Sequence, residues 1–177
     1  MVRRVVTATD ENGKAIVVND GQPPISHDYV QTPGFSDSFV WRTDRKPKLA
    51  HELASEPLSD YIPKIGESVA LTVTFPPGSV YADPSYDPVA AREEDLAMMP
   101  GLVDLFETDE PGMHRTPTAD YAVVIKGQVN LELDDGVMVP LEVGDIVVQN
   151  GNRHAWRNMT EETATIFVVL LGAEAEK

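Results

Sequence analysis

Two of the four histidines in this sequence, His114 and His154, stand near opposite ends of one stretch, residues 111–158, that also carries Asp120 and Trp156. Imidazole titrates near neutral pH and can serve as general acid, general base or metal ligand. A carboxylate at Asp120 adds a second titratable group, and if buried it needs a partner. Side chains alternate faces along a strand, so His114, Thr116, Thr118 and Asp120 fall on one face and Tyr121 on the other. On the far segment His154 and Trp156 share a face, and the Trp156 indole N–H asks for an acceptor that a polar cavity can supply. A sheet closed on itself brings such distant ends to one mouth.

The elements that must position these groups are short strands. Within residues 111–158 the apolar runs are 121–125, 128–133, 137–141 and 146–148. Lys126-Gly127, Asp134-Asp135-Gly136 and Glu142-Val143-Gly144-Asp145 separate them, a pattern that indicates an antiparallel sandwich or barrel. Upstream, residues 3–9 and 14–19 read as strands joined at a hairpin turn, Asp10-Glu11-Asn12-Gly13. Residues 21–34 read as a loop and residues 35–43 as a strand. Residues 69–75 form a clearer strand, with Val69, Leu71, Val73 and Phe75 on one face, stopped by Pro76-Pro77-Gly78. The last strand is residues 163–171, and an acidic tail follows it.

Residues 111–158 resemble the cupin superfamily. Its first motif ends H-x-H-x3-E-x6-G, and here His114, Thr116, Asp120 and Gly127 hold that spacing, with Thr for the second His and Asp for Glu. Its second motif is G-x5-P-x-G-x2-H-x3-N. Gly144, Gln149, Gly151, His154 and Asn158 follow it, with Gln149 in the place of Pro and the preceding segment one residue short. The resemblance implies a mainly β fold: a single cupin double-stranded β-helix, or jelly-roll, barrel with a short helical insertion. One domain, residues 1–177, is expected. Residues 1–65 would be N-terminal strands and loops, and residues 66–171 the barrel with an insertion at 79–112.

That insertion is longer than the family's direct run from the Pro-Gly turn into the motif strand. Asp87 and Pro88 predict a helix start, Pro100-Gly101 its end, and Val89, Leu96 and Met99 can share one face. Residues 102–107 read as an added strand. The insertion can be a lid over the barrel mouth or packing against a neighbouring subunit.

By the resemblance, His114, Asp120 and His154 gather in one cavity as catalytic residues and metal ligands, with Thr116 and Trp156 lining the substrate pocket. Two imidazoles and a carboxylate suit a divalent metal: Fe(II) with open positions for substrate or dioxygen, or Zn or Mn as a Lewis acid. Without metal, either histidine remains a general acid or base. Arg115, Arg153 and Arg157 read as surface charge, although one could reach the mouth and bind a carboxylate. His27 and His51 lie outside both motifs and read as surface residues.

Composition narrows the partners. The chain has 177 residues, enough for one sizeable core. A net charge of -15 without a basic stripe repels polyanions, so no nucleic-acid partner is expected. No apolar run is long enough to span a membrane and no signal peptide is evident. The absence of cysteine rules out disulfides and thiolate chemistry and is compatible with a cytoplasmic setting. The expectation is a small-molecule enzyme acting on an oxygenated organic substrate, as a dioxygenase, decarboxylase, isomerase or cyclase. It would form a homodimer, as cupins often do. The alternatives are a non-catalytic small-molecule-binding cupin without metal, and a purely structural barrel.

Overall fold

The computed structural model describes residues 2–49 and 60–174; His51 lies outside them. Eleven strands occur among the described residues. In order they are β1 (Arg4–Thr9), β2 (Ala15–Gly21), β3 (Ile25–Asp28), β4 (Ser36–Thr43), β5 (Ser68–Phe75), β6 (Thr118–Lys126), β7 (Val129–Glu132), β8 (Met138–Leu141), β9 (Ile146–Asn150), β10 (Ala155–Arg157) and β11 (Ala164–Gly172). Among the described residues one α-helix, α1 (Pro88–Met98), sits between β5 and β6.

Two sheets make the jelly roll. The larger has the order β3-β4-β5-β11-β6-β9 and the smaller β10-β7-β8, while β1 and β2 pair as a separate hairpin. Every pairing is antiparallel. The alternation expected of half-buried strands is plain in β11, where Ala164, Ile166, Val168 and Leu170 are buried in turn. They join Val69, Leu71 and Val73 of β5, Ala122 and Val124 of β6, and Val129, Leu131 and Leu141 of the smaller sheet in one core. Burying each large aliphatic side chain there contributes about 1.5–3 kcal/mol. β11 lies between β5 and β6, so it fixes the height at which the β6 residues face the cavity.

The motif glycine Gly127 has a local reason. Its φ is +68°, and a Cβ there would meet the Thr163 carbonyl oxygen at 2.7 Å. Only glycine closes the β6–β7 turn against the start of β11. Asn158 is the other motif residue with a structural duty. Its side-chain N–H groups donate to the Phe75 and Glu162 carbonyls, and its oxygen accepts from Thr160.

Three expectations change. Residues 21–34 are not all loop: β3 forms there and pairs with β4 at the sheet edge. Residues 102–107 are not a strand. Val103–Leu105 is a single 3-10 turn, and only Phe106 makes a bridge, to His114. Along α1 the buried contacts come from Ala91 and the capping Met99, whereas Val89 is 67% and Leu96 38% exposed. The capping prediction holds, with the Asp87 side chain accepting from the Val89 and Ala90 amides and Pro88 at the first helical position.

Candidate active site

His114 and His154 are cross-strand neighbours. The His114 amide donates to the His154 carbonyl at 2.9 Å, and the His154 amide returns the bond at 3.0 Å. A reciprocal antiparallel pair puts both side chains on the same face. The two imidazole centroids are accordingly 4.3 Å apart. Phe106 stacks on the outer face of His114 at 4.4 Å, and Trp156 meets His154 edge-on at 6.1 Å.

Each imidazole is held in one tautomer. Nδ1 of His114 lies 2.9 Å from the Gly112 carbonyl and Nδ1 of His154 3.0 Å from the Asn152 carbonyl. A carbonyl only accepts, so both Nδ1 atoms carry the proton and both Nε2 atoms carry a lone pair. Burial keeps the rings neutral. It lowers the His114 pKa to about 4, helped by the neighbouring His154, and lowers that of His154.

Asp120 lies on β6 with Thr116 and Thr118 behind it. The Thr118 hydroxyl donates to Thr116 Oγ1 at 2.7 Å, and Thr116 reaches Asp120 Oδ2 at 3.5 Å. The other oxygen, Oδ1, is buried without a hydrogen-bond partner. Burial pushes the Asp120 pKa up to about 6, against the opposing effect of the threonine hydroxyls. Directly across the β6–β9 pair stands Gln149. Its Oε1 accepts from Asn152 Nδ2 at 2.9 Å, and its Nε2 is buried and unpartnered.

Phe106, His114, Thr116, Asp120, Gln149, His154 and Trp156 line one cavity of about 710 Å³. Its barrel side is completed by Leu71, Ile166 and Leu170, and its opposite side by residues of the insertion, among them Tyr81, Tyr86, Met99, Leu102 and Phe106. The insertion therefore roofs the cavity within the chain itself. It rests on its own apolar cluster of Tyr29, Tyr61, Met99, Leu102 and Val103. Glu94 of α1 accepts from the Val30 and Gln31 amides and pairs with His27 Nε2 at 2.9 Å, so His27 is a half-buried tether and not a free surface residue.

The arginines hold the other end of the roof. Arg153 makes a two-pronged pair with Glu107 at 2.7 and 2.6 Å, and reaches Glu110 at 2.6 Å and Asp134 at 2.9 Å. Arg157 bonds Glu132 at 2.5 Å and the Pro111 carbonyl at 2.7 Å, and it also lines the cavity. Neither is idle surface charge. Arg153→Met leaves Glu107 and Glu110 without their cation, so limited proteolysis should cut residues 79–112 faster than in the wild type. Unchanged cleavage would mean that the apolar cluster alone holds the roof.

The structure thus brings all five expected site residues, His114, Thr116, Asp120, His154 and Trp156, to one cavity. It does not make a three-ligand metal set of them: among the described residues, no three of His, Cys, Asp and Glu are grouped closely enough to hold a metal ion. The reason is geometric. The histidines sit side by side on paired backbone, and the short Asp120 side chain hangs among the threonines of its own strand. Gln149 and Phe106 were missed from sequence.

Residues 102–170 match the family model for the cupin domain. A phomopsin biosynthesis cluster protein C' of Diaporthe leptostromiformis is 41% identical over 71 residues, 39% of this chain and 38% of that protein. An oryzines biosynthesis cluster protein J of Aspergillus oryzae is 38% identical over 80 residues, 41% of this chain and 45% of that protein. A cupin-domain-containing oxidoreductase, virC, of Hypocrea virens is 42% identical over 48 residues, 27% and 25% of the two chains. The matches cover less than half of each relative's length. Among solved structures, a double-stranded β-helix protein of Klebsiella pneumoniae aligns with a TM-score of 0.40 at 20% identity, over 62% of this chain and 70% of that one. The motif glycines and the paired histidines lie within this matched segment, residues 102–170, which carries a cupin domain.

Proposed function

We propose that this chain is a cupin-type enzyme that moves a proton on an oxygenated organic molecule with a largely apolar body, in an isomerisation or cyclisation. The observation that carries this is the histidine pair: two buried neutral imidazoles whose Nδ1–H groups are spent on backbone carbonyls, leaving two basic Nε2 atoms on a cavity wall. A cavity of about 710 Å³ suits a small-molecule substrate. Its apolar walls, among them Phe35, Phe75, Leu102 and Phe106, would hold that body against the rings. One Nε2 takes a proton from carbon next to a carbonyl, and the imidazolium returns it at another carbon or, when the enolate carbon closes a ring on a second carbonyl of the substrate, to the alkoxide oxygen that results. The donor set does not fit a resident three-ligand metal, so no step is routed through one. Three relatives are named cupin-domain-containing oxidoreductases, and this favours a second reading in which the imidazole pair recruits a redox metal together with groups from the substrate.

The test is hydrogen–deuterium exchange in D2O, followed by proton NMR, on a panel of enolisable aryl ketones and 1,3-diketones. The protein is used before and after treatment with chelator. Catalysed loss of the α-proton signal that survives chelation supports proton transfer. Exchange absent throughout the panel would remove it. Activity that appears only on adding Fe(II), Mn(II) or Zn(II), with dioxygen uptake, would favour the second reading. The pH profile is also set. The base must be neutral, so kcat/KM falls as pH drops through about 4, where His114 protonates. A substrate oxygen that accepts a hydrogen bond from the Asp120 carboxyl needs it protonated, so the rate falls again as pH rises through about 6. Each limb should approach tenfold per pH unit.

A further inference from the structure

Asp120 Oδ1 and Gln149 Nε2 are among only four buried side-chain polar atoms without a hydrogen-bond partner among the described residues. Leaving such a group unsatisfied is costly, so two of them on facing residues call for an explanation. They belong to residues directly opposite each other on β6 and β9, and both residues line the cavity. Gln149 is 2% and Asp120 4% exposed. The amide of Gln149 is oriented by Asn152, whose donation identifies Oε1 as the acceptor and leaves Nε2–H as the free group. Asp120 is steadied on its other oxygen by Thr116. Gln149 stands where the motif of the superfamily has proline, which has no side-chain donor at all.

We infer that Gln149 Nε2 and the Asp120 carboxyl form an oxyanion hole that binds the carbonyl oxygen of an enolisable substrate and stabilises the enolate formed from it. This rests on the proton-transfer reading above and names its substrate class. When an imidazole Nε2 removes the α-proton, the C–H bonding pair becomes the C=C bond and the carbonyl π pair moves onto oxygen. The new charge accepts one hydrogen bond from the Gln149 N–H and one from the Asp120 O–H. When the imidazolium gives its proton to another carbon, the charge collapses and both donors are free again. Both groups are held at the cavity wall by their own side-chain partners, and donors fixed in place need no reorganisation as charge develops.

Substituted phenols test this without turnover, because a phenolate oxygen has the charge and shape of an enolate. Their affinity is measured by titration calorimetry on the full chain, with the equally bulky toluenes as neutral controls. The wild type should bind phenolates more tightly than toluenes. Gln149→Leu should weaken phenolate binding by about 10- to 100-fold and slow α-proton exchange by about 10²-fold or more, mainly in kcat, with toluene binding unchanged. Gln149→Glu, which keeps the shape and reverses the polarity, should lose phenolate binding altogether, and it serves if the leucine variant folds poorly. Wild-type phenolate affinity in both variants would overturn the inference, as would a wild type that prefers toluenes. Phenolate binding that depends on Gln149 in a protein with no exchange activity would uphold the oxyanion site and sink the proton-transfer reading.

Discussion

Replacing His114 and His154 together by glutamine should lower the α-proton exchange rate by about 10²–10⁴-fold, the range typical for loss of a positioned general base. Glutamine is close in volume to histidine and can still donate to the Gly112 or Asn152 carbonyl, so the local turns keep their bonds. It has no basic nitrogen, so the chemistry goes. The single variants should each lose nearly as much as the double. The rings touch, with centroids 4.3 Å apart, and either change alters the burial and orientation of the other. A double variant that loses only the product of two small single effects would mean independent residues. Wild-type exchange in the double variant would place the base elsewhere. The double variant should also resist acid better. Both histidines are buried neutral with depressed pKa, so the wild type loses stability as pH falls below the ordinary histidine range, and the variant has nothing there to protonate.

The parity of one strand made much of this site legible. Placing His114, Thr116, Thr118 and Asp120 on a common face needed only the alternation of a β-strand, and all four are buried in the structure. Tyr121 falls outward, as the same parity demands. The helix start at Asp87-Pro88 was equally readable, because capping is a local matter decided by two or three residues. What the sequence hid depends on register and on long-range contact. In the apolar run at 146–148, Ile146 is 71% and Val148 57% exposed, while the polar Gln149 beside it faces the cavity. Hydrophobicity pointed to the wrong face of β9, and only its pairing with β6 shows which side is inside. A polar residue in place of the motif proline was the available signal. The relation between the histidines was hidden for the same reason. Reciprocal backbone bonds make them neighbours on one face, which no spacing within either motif reveals. Phe106 and Arg153 act across the insertion, through a stack and a set of ion pairs whose partners are far away in sequence.

Asp120→Asn should make the protein more stable at pH 7.5 and less active below pH 6. The folded-state pKa of Asp120 is raised to about 6 from an ordinary 3.8, because burial disfavours the charged form. A carboxyl shifted upward favours folding only while it is protonated. Its penalty is absent below the unfolded pKa, grows as pH rises through about 6, and is complete above that. The shift corresponds to about 2–3 kcal/mol at neutral pH, a large part of the stability of an ordinary domain. Asparagine carries no charge at any pH and nearly the same shape, so chemical denaturation should show that gain at pH 7.5 and almost none at pH 4. Opposing this, asparagine lacks the acidic O–H that the enolate oxygen needs, and its amide is a weaker donor. Below pH 6, exchange should fall by about tenfold or more, and the fall in rate above pH 6 should disappear with the group that titrates. Equal stabilities at both pH values would mean that Asp120 ionises freely, with water reaching Oδ1. Stabilisation without loss of exchange would leave Gln149 as the sole donor to the oxygen. Gain and loss together would make Asp120 a residue kept at a cost to folding because the neutral carboxyl is what the cavity uses.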